Sequence, residues 1–378
     1  MQRVLLLSFS TLVSDPRVRR HALALADSYY VVTAGYGEAP GYGNEHIQIP
    51  RPTPTCYFKK FLKAVFLLLR VYSPVYWLDD DKRAALKLLK SLEAFDLVIA
   101  NDAPSLPVAF FSAGTSVPVV ADMHEFAPGE QLPGWKWNLF WKGYPQYLCR
   151  RFLPRANHVL TVCDSIAELY RQEFLVTLPG VLMNCPSYLE AVPKEVGEKI
   201  RLIHHGAGCP SRKLELMAEA ALLLDERFEF DFMLVESDSA YCSWLKETYE
   251  GQRIRFREPV PMPLISEVLN RDYDIGVFLL EPEAISYKYA LPNKLFEFMQ
   301  ARLAVVVSPN HEMARLVRST SVGVVSEDFS SASLARAINA LDEATIMSMK
   351  RASAVAAQRY CAETVYSDFK RLADAFTR

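Results

Sequence analysis

The run Ala290–Ser308, ALPNKLFEFMQARLAVVVS, sets a proline turn, a short apolar-spaced segment and a valine run end to end. Pro292 disfavours a helical Leu291, while Leu295, Phe296 and Met299 have the spacing of a packed helix. Val305-Val306-Val307 reads as a buried parallel strand. Glu297 then falls near the start of a helix whose free backbone N–H groups and partial positive charge suit a phosphate. It either contacts what binds there or caps its own helix. A second candidate is His204-His205-Gly206-Ala207-Gly208, read as strand end and glycine turn, with Ser211-Arg212-Lys213 opening the next helix. Small residues let backbone approach a ligand, and two cations at a helix start make a diphosphate site. The alternative is a plain glycine turn with two solvated cations. The segment is neither a Walker loop nor a full G-x-G-x-x-G. His204 and His205 are strand neighbours pointing to opposite faces, which is not metal-ligand geometry.

Acids and a histidine gather at two other strand ends. Asn101-Asp102 follows an apolar run and precedes a proline-punctuated helix, so Asp102 projects from the carboxyl end of a sheet. Asp122-Met123-His124-Glu125 follows the strand Val117–Ala121, and three ionisable groups there read as functional rather than core. A histidine can move a proton near neutral pH, with Asp122 and Glu125 to orient it; the alternative is a histidine that Asp122 holds for structural reasons. Asp15-Pro16-Arg17 is a sound helix start, with Asp15 as N-cap and Pro16 pre-setting the first turn. Arg17 and Arg20 are spare cations for a phosphate or partners for surface carboxylates.

Together these segments resemble the GT-B glycosyltransferases, most closely family 4. Pro292-Asn293-Lys294 with Glu297 and the valine strand is similar to the family's donor signature, which implies that Glu297 holds the donor ribose hydroxyls. Gly206, Arg212, Lys213, Asn293 and Lys294 would complete the donor site, the cations neutralising a leaving nucleotide diphosphate without a metal. Ser14-Asp15-Pro16-Arg17-Val18 resembles an acceptor-facing opening, making Asp15 and Arg17 acceptor candidates. Asp122-Met123-His124-Glu125 resembles the D-x-H-E element, with His124, Asp102 and Glu125 as catalytic candidates. The chain departs from the family at Tyr289, where a first glutamate is usual, at Arg302, where a turn has glycine, and at Glu236-Ser237-Asp238-Ser239, where a glycine pair is usual. Those departures bear on the sugar pocket and the stereochemical outcome.

The elements that must position these residues alternate strand and helix. Strands are predicted at Val4–Phe9, Tyr30–Thr33, Leu97–Ala100, Val117–Ala121 and Val159–Val162, with a Gly/Pro-rich loop from Gly35 to Pro54. A second set follows from Ile200, with Lys213–Leu224 as a helix. Such alternation means an α/β fold with parallel sheets. The expected architecture is GT-B, two Rossmann-like domains facing across a cleft: 1–186 for the acceptor, 198–350 for the donor, and a C-terminal helix 351–378 crossing back. At 378 residues, two domains are the natural reading.

Composition limits the function class. Net charge is −2, against general nucleic-acid binding, and seven cysteines without a C-x-x-C pair indicate neither a disulfide framework nor a zinc cluster. No signal peptide or membrane span is expected. Residues 57–78 and 133–155 interleave lysine and arginine with tryptophan, phenylalanine and leucine, a pattern of interfacial helices or of helices packed on the sheet with solvated lysines. The expectation is a retaining, metal-independent transferase, cytoplasmic or at the inner face of the membrane. Its partners would be a nucleotide sugar and a glycan or lipid-linked acceptor. Alternatives are a nucleotide-sugar epimerase or hydrolase of the same fold, or a catalytically silent partner subunit.

Overall fold

Uninterrupted aliphatic runs set the strands. Val4-Leu5-Leu6-Leu7 and Val98-Ile99-Ala100 are buried on both faces, as parallel strands between two helix layers must be. The computed structural model describes residues 1–378 apart from 55, 131, 133, 252 and 378. It divides into two compact units: Met1–Asn184 with Ala284–Ser286 and Tyr366–Arg378, and Cys185–Glu283 with Tyr287–Val365.

In the first unit β1 (Arg3–Thr11), β2 (Tyr30–Tyr36), β3 (Glu45–Ile49), β4 (Leu97–Asn101), β5 (Val119–Met123), β6 (His158–Thr161) and β7 (Gly180–Val181) form one sheet. Their order is β3-β2-β1-β4-β5-β6-β7, and every pairing is parallel. In the second unit β8 (Ile200–Gly208), β9 (Phe228–Glu236), β10 (Ile254–Arg257), β11 (Ile275–Phe278), β12 (Ala304–Val307) and β13 (Gly323–Val325) repeat the plan as β10-β9-β8-β11-β12-β13. Strand order reverses beside β1 and β4, and again beside β8 and β11. Ligands of doubly wound sheets bind outside the carboxyl ends of strands at that reversal. Asp15 follows β1 and Asp102 follows β4; Arg212 follows β8 and Glu281 follows β11.

Several predicted boundaries move. The loop from Gly35 to Pro54 contains β3, a half-exposed edge strand paired with β2. No glycine turn follows His205, because β8 continues through Gly208. The helix expected over Lys213–Leu224 is Glu215–Leu222, so Arg212 and Lys213 lie ahead of it, Arg212 closing the single turn Pro210–Arg212. The long final helix is two, Glu343–Arg359 and Ala362–Thr377. Phe369 of the latter stacks on His21 at 4.4 Å, within the first unit.

The segment 57–78 forms helices Tyr57–Leu68 and Tyr72–Trp77, and the first buries only Leu67. Two of its lysines are paired, Lys59 with Asp80 and Lys63 with Asp79, while Lys60 is exposed beside the Tyr57 ring. Of the segment 133–155, Pro133 lies outside the described residues; a π-helical turn Trp137–Trp141 leads into helix Gly143–Phe152. Among the described residues no helix is long and apolar enough to cross a membrane.

Strand contact is tightest at Gly323, where an added Cβ would sit 1.7 Å from the Val305 carbonyl oxygen on paired β12. Backbone must move to admit it, so Gly323→Ala should cost about 3 kcal/mol of stability by differential scanning calorimetry.

Candidate functional site

In the first unit the chemistry collects where β1, β4 and β5 end. Asp15 caps helix Pro16–Leu25, its carboxylate accepting from the backbone N–H groups of Arg17 and Val18 and from the Ser10 hydroxyl. Arg17 does not face outward. Its side chain is 2% exposed and donates from two nitrogens to the two oxygens of Asp122, both at 2.5 Å, with a third bond to the Leu182 carbonyl at 2.7 Å. Asp122 is fully buried on β5. Burial opposes its charge, but Arg17 outweighs burial and holds the carboxyl well below its ordinary range.

His124 is the next titratable group out. Its Nδ1 lies 3.1 Å from Asp102 Oδ2, and its Nε2 lies 3.4 Å from Asp122 Oδ2 and 3.1 Å from Asn101 Oδ1. The His124 backbone N–H donates to Asp102 Oδ1 at 2.9 Å. Burial works against a charged ring, yet Asp102 and Asp122 prevail and the pKa is raised. Asp102 itself moves up, chiefly through burial. It also holds an unusual backbone, φ 62° and ψ 163°. That region is close to glycine-only, and residues held there cluster at functional sites.

In the second unit Lys294 enters from the start of helix Asn293–Gln300. Its Nζ lies 3.4 Å from His204 Nε2 and 4.0 Å from the centre of the Phe278 ring. Gly206, with φ +126°, passes beneath it, and a Cβ there would come within 3.1 Å of the amine. His204 shares a hydrogen bond with the Val277 carbonyl at 3.0 Å, which makes Nδ1 the donor and turns an acceptor nitrogen to Lys294. Burial, then the Arg212 charge, push the Lys294 pKa down to about 7. Burial and Lys294 likewise push His205 down to about 3. Glu297 is buried on the second turn of the helix, with His205 Nε2 at 3.4 Å from its carboxylate, a loose contact to a neutral ring. Arg212 lies over the Tyr287 ring at 5.0 Å. An arginine and a partly buried lysine this close together suit an anion.

Residues 17–178 match Glycosyltransferase Family 4. The whole chain superposes on HepE of Anabaena in complex with UDP and glucose, with TM-score 0.72, 15% identity, and coverage of 99% of this chain and 100% of that one. Sucrose-phosphate synthase of Thermosynechococcus elongatus gives TM-score 0.74 at 15% identity over 99% of both chains. The fold is therefore GT-B. Residues 17–178 are similar to family 4, and the rest of the chain shares the fold. A TarM mutant of S. aureus, in complex with fondaparinux, α-GlcNAc-glycerol and UDP, matches at TM-score 0.63 and 13% identity; 79% of this chain is covered, spanning only 59% of TarM. No curated protein matches the chain by sequence.

The structure brings His124 and Asp102 together, and Gly206, Lys294 and Glu297 together. It withdraws Arg17, whose charge is spent on Asp122, and Asp122 proves to be core. Lys213 also points away from a diphosphate role: it adopts a left-handed backbone and its amine is held by Glu281 and Glu283, which raise its pKa. Glu125 is exposed, its carbonyl accepting from Tyr170. Asn293 is the first residue of its helix. The departures at Arg302 and at 236–239 have structural roles. Arg302 is buried with φ 59° and donates to the carbonyls of Met299 and Gln300, capping the helix where glycine is usual. Asp238 caps helix Ser239–Tyr249. Sequence reading missed Glu130, pushed up to about 7 by burial and then by Glu125; only its nearness in sequence to His124 pointed to it.

Removing one partner of a buried pair strands the other charge, so Arg17→Ala should cost about 3–5 kcal/mol. In urea unfolding, the double variant Arg17→Met/Asp122→Leu should recover most of that loss.

Proposed function

We propose that the protein transfers a sugar from a nucleotide-diphosphate donor to a glycan or lipid-linked acceptor at the inner face of a membrane. The second unit would bind the donor and the first the acceptor. The observation that carries the reading is the Lys294–Arg212–Gly206 group at the end of β8. A glycine lets backbone approach the phosphates, an arginine and a half-buried lysine supply positive charge, and a helix N-terminus adds its free N–H groups. Glu297, one helical turn along, would accept from ribose hydroxyls. UDP is the first nucleotide to test, since HepE and TarM are in complex with it.

In this reading charge at the departing diphosphate comes from Arg212 and Lys294, so the reaction needs no metal. His124, biased toward its charged form by Asp102 and Asp122, suits a hydrogen-bond donor to the transferring sugar better than a general base. That favours a retaining outcome. Arg302, accounted for as a helix cap, lends no support to a silent subunit.

Thermal stabilisation by UDP-, GDP-, TDP-, ADP- and CMP-linked sugars tests the proposal. One nucleotide family should raise stability by about 2.7 kcal/mol at a hundredfold excess over Kd, and Glu297→Ala or Arg212→Ala should abolish the gain. Absence of any shift in a folded sample would reject the donor assignment.

A pH effect follows from Lys294. Its free-state pKa of about 7 must rise when a diphosphate sits beside it. Binding is then flat below that pH and takes up a proton above it. Calorimetry should show affinity for a UDP-sugar falling by up to about tenfold per pH unit above neutrality, with Lys294→Met weak throughout and free of that slope.

A further inference from the structure

We propose that Arg302 and Gln300 are positioning residues that link an occupied donor site to the segments by which the chain enters and finally leaves the second unit. Lys294 and Glu297 lie in the first two turns of helix Asn293–Gln300, and Gln300 and Arg302 lie at its far end. Cys185 opens this unit and Val365 closes its last segment. The link rests on the donor role of Lys294 and Glu297.

The entry segment is clamped at one residue. Leu189 donates its backbone N–H to Gln300 Oε1 at 2.9 Å, and its carbonyl accepts from an Arg302 guanidinium nitrogen at 2.5 Å. The same guanidinium lies over the Tyr188 ring at 5.3 Å and donates to the Met299 and Gln300 carbonyls, so one side chain spans helix end and segment. Asn270 adds a further tie, its amide donating to the Val192 and Ala301 carbonyls at 3.1 and 3.0 Å. The exit segment is held by the other end of the Gln300 amide. Gln300 Nε2 donates to the carbonyls of Ala357 and Tyr360, at 2.8 and 3.1 Å, where helix Glu343–Arg359 ends. The two segments are also bonded to each other, the Ala362 N–H donating to the Pro186 carbonyl and the Tyr188 N–H to the Glu363 carboxylate.

These bonds leave little slack. Gln300 and Arg302 are buried, so water does not replace a bond that a shift would break, and each broken bond strands a polar group. Arg302 has φ 59°, a backbone region that glycine takes more readily. Ending the helix needs no more than such a glycine. What the arginine adds is its grip on Leu189. Between the two ends, Phe296 packs on Tyr360 at 5.9 Å, so helix and exit segment also share apolar contact. A helix of eight residues moves as a rod. A diphosphate that draws on its first turn is therefore felt at Leu189 and Tyr360 rather than absorbed between them.

The test is hydrogen–deuterium exchange of the full chain with and without UDP-glucose, alongside calorimetry of the same binding. UDP-glucose should slow amide exchange across 186–192 by about tenfold. Arg302→Gly should remain folded, because glycine suits this backbone, and should bind UDP-glucose within about threefold of the unaltered protein while losing that slowing. Arg302→Lys, which keeps a cation for the Leu189 carbonyl, should retain most of it. A residue that only caps its helix would behave otherwise: its loss would speed exchange at 186–192 equally with and without ligand. That result overturns the link, as does binding by the unaltered protein with no change at 186–192, and either leaves the donor site standing. Absence of calorimetric binding rejects the donor site and the link with it. Should the glycine variant not fold, Asn270→Ala cuts a partly exposed tie instead and should reduce the slowing to about threefold; undiminished slowing there overturns the link.

Discussion

The buried pairing of Arg17 with Asp122 is the interaction on which the first unit's site depends. It ties the first turn of helix Pro16–Leu25 to the end of β5, and through the Leu182 carbonyl to the chain leaving β7. A carboxylate at full burial would ordinarily neutralise itself by taking a proton. With a guanidinium on both its oxygens it stays ionised, and an ionised Asp122 is what lets His124 hold charge at its other flank. His21, also buried against this pair, is pushed down to about 3 and stays neutral, stacked between aromatic rings. The buried arginine thus keeps Asp122 ionised, Asp122 with Asp102 favours charge on His124, and burial keeps His21 neutral.

The two units use the same strand order to opposite electrostatic ends. Outside β4 and β5 two aspartates surround a histidine and favour its protonation. Outside β8 Lys294, His204 and His205 are buried close together and pushed toward losing protons, with the Arg212 charge nearby. One arrangement offers a proton-bearing ring; the other asks for an anion. The fold thus presents two opposite electrostatic environments, each at the carboxyl ends of strands.

Much of this was legible in the sequence because burial on both faces writes aliphatic runs, and β1, β4, β5 and β12 each carry one. Helix Asn293–Gln300 was legible for the same reason, together with its proline start. β3 escaped because Glu45-His46-Ile47-Gln48-Ile49 lies at a sheet edge, mostly half-exposed, in a neighbourhood of glycines and prolines. Gly206 and Gly208 read as a turn, yet both complete β8, with Gly206 extended at positive φ under an amine. The roles of Arg17 and Lys213 could not be read locally at all. Their carboxylates lie 105, 68 and 70 residues away in sequence, and only the fold decides whether a cation is matched or left for a ligand.

Asp102 inverts the ordinary logic of substitution. Glycine in place of a structured residue usually loosens a protein, because it enlarges the unfolded ensemble. At φ 62° and ψ 163° the native backbone is one that glycine occupies freely and aspartate resists. Selection for stability alone would therefore drift toward glycine here and remove the carboxylate beside His124. An aspartate kept at this point marks where the chain tolerates local conformational tension for the sake of a charge in one place.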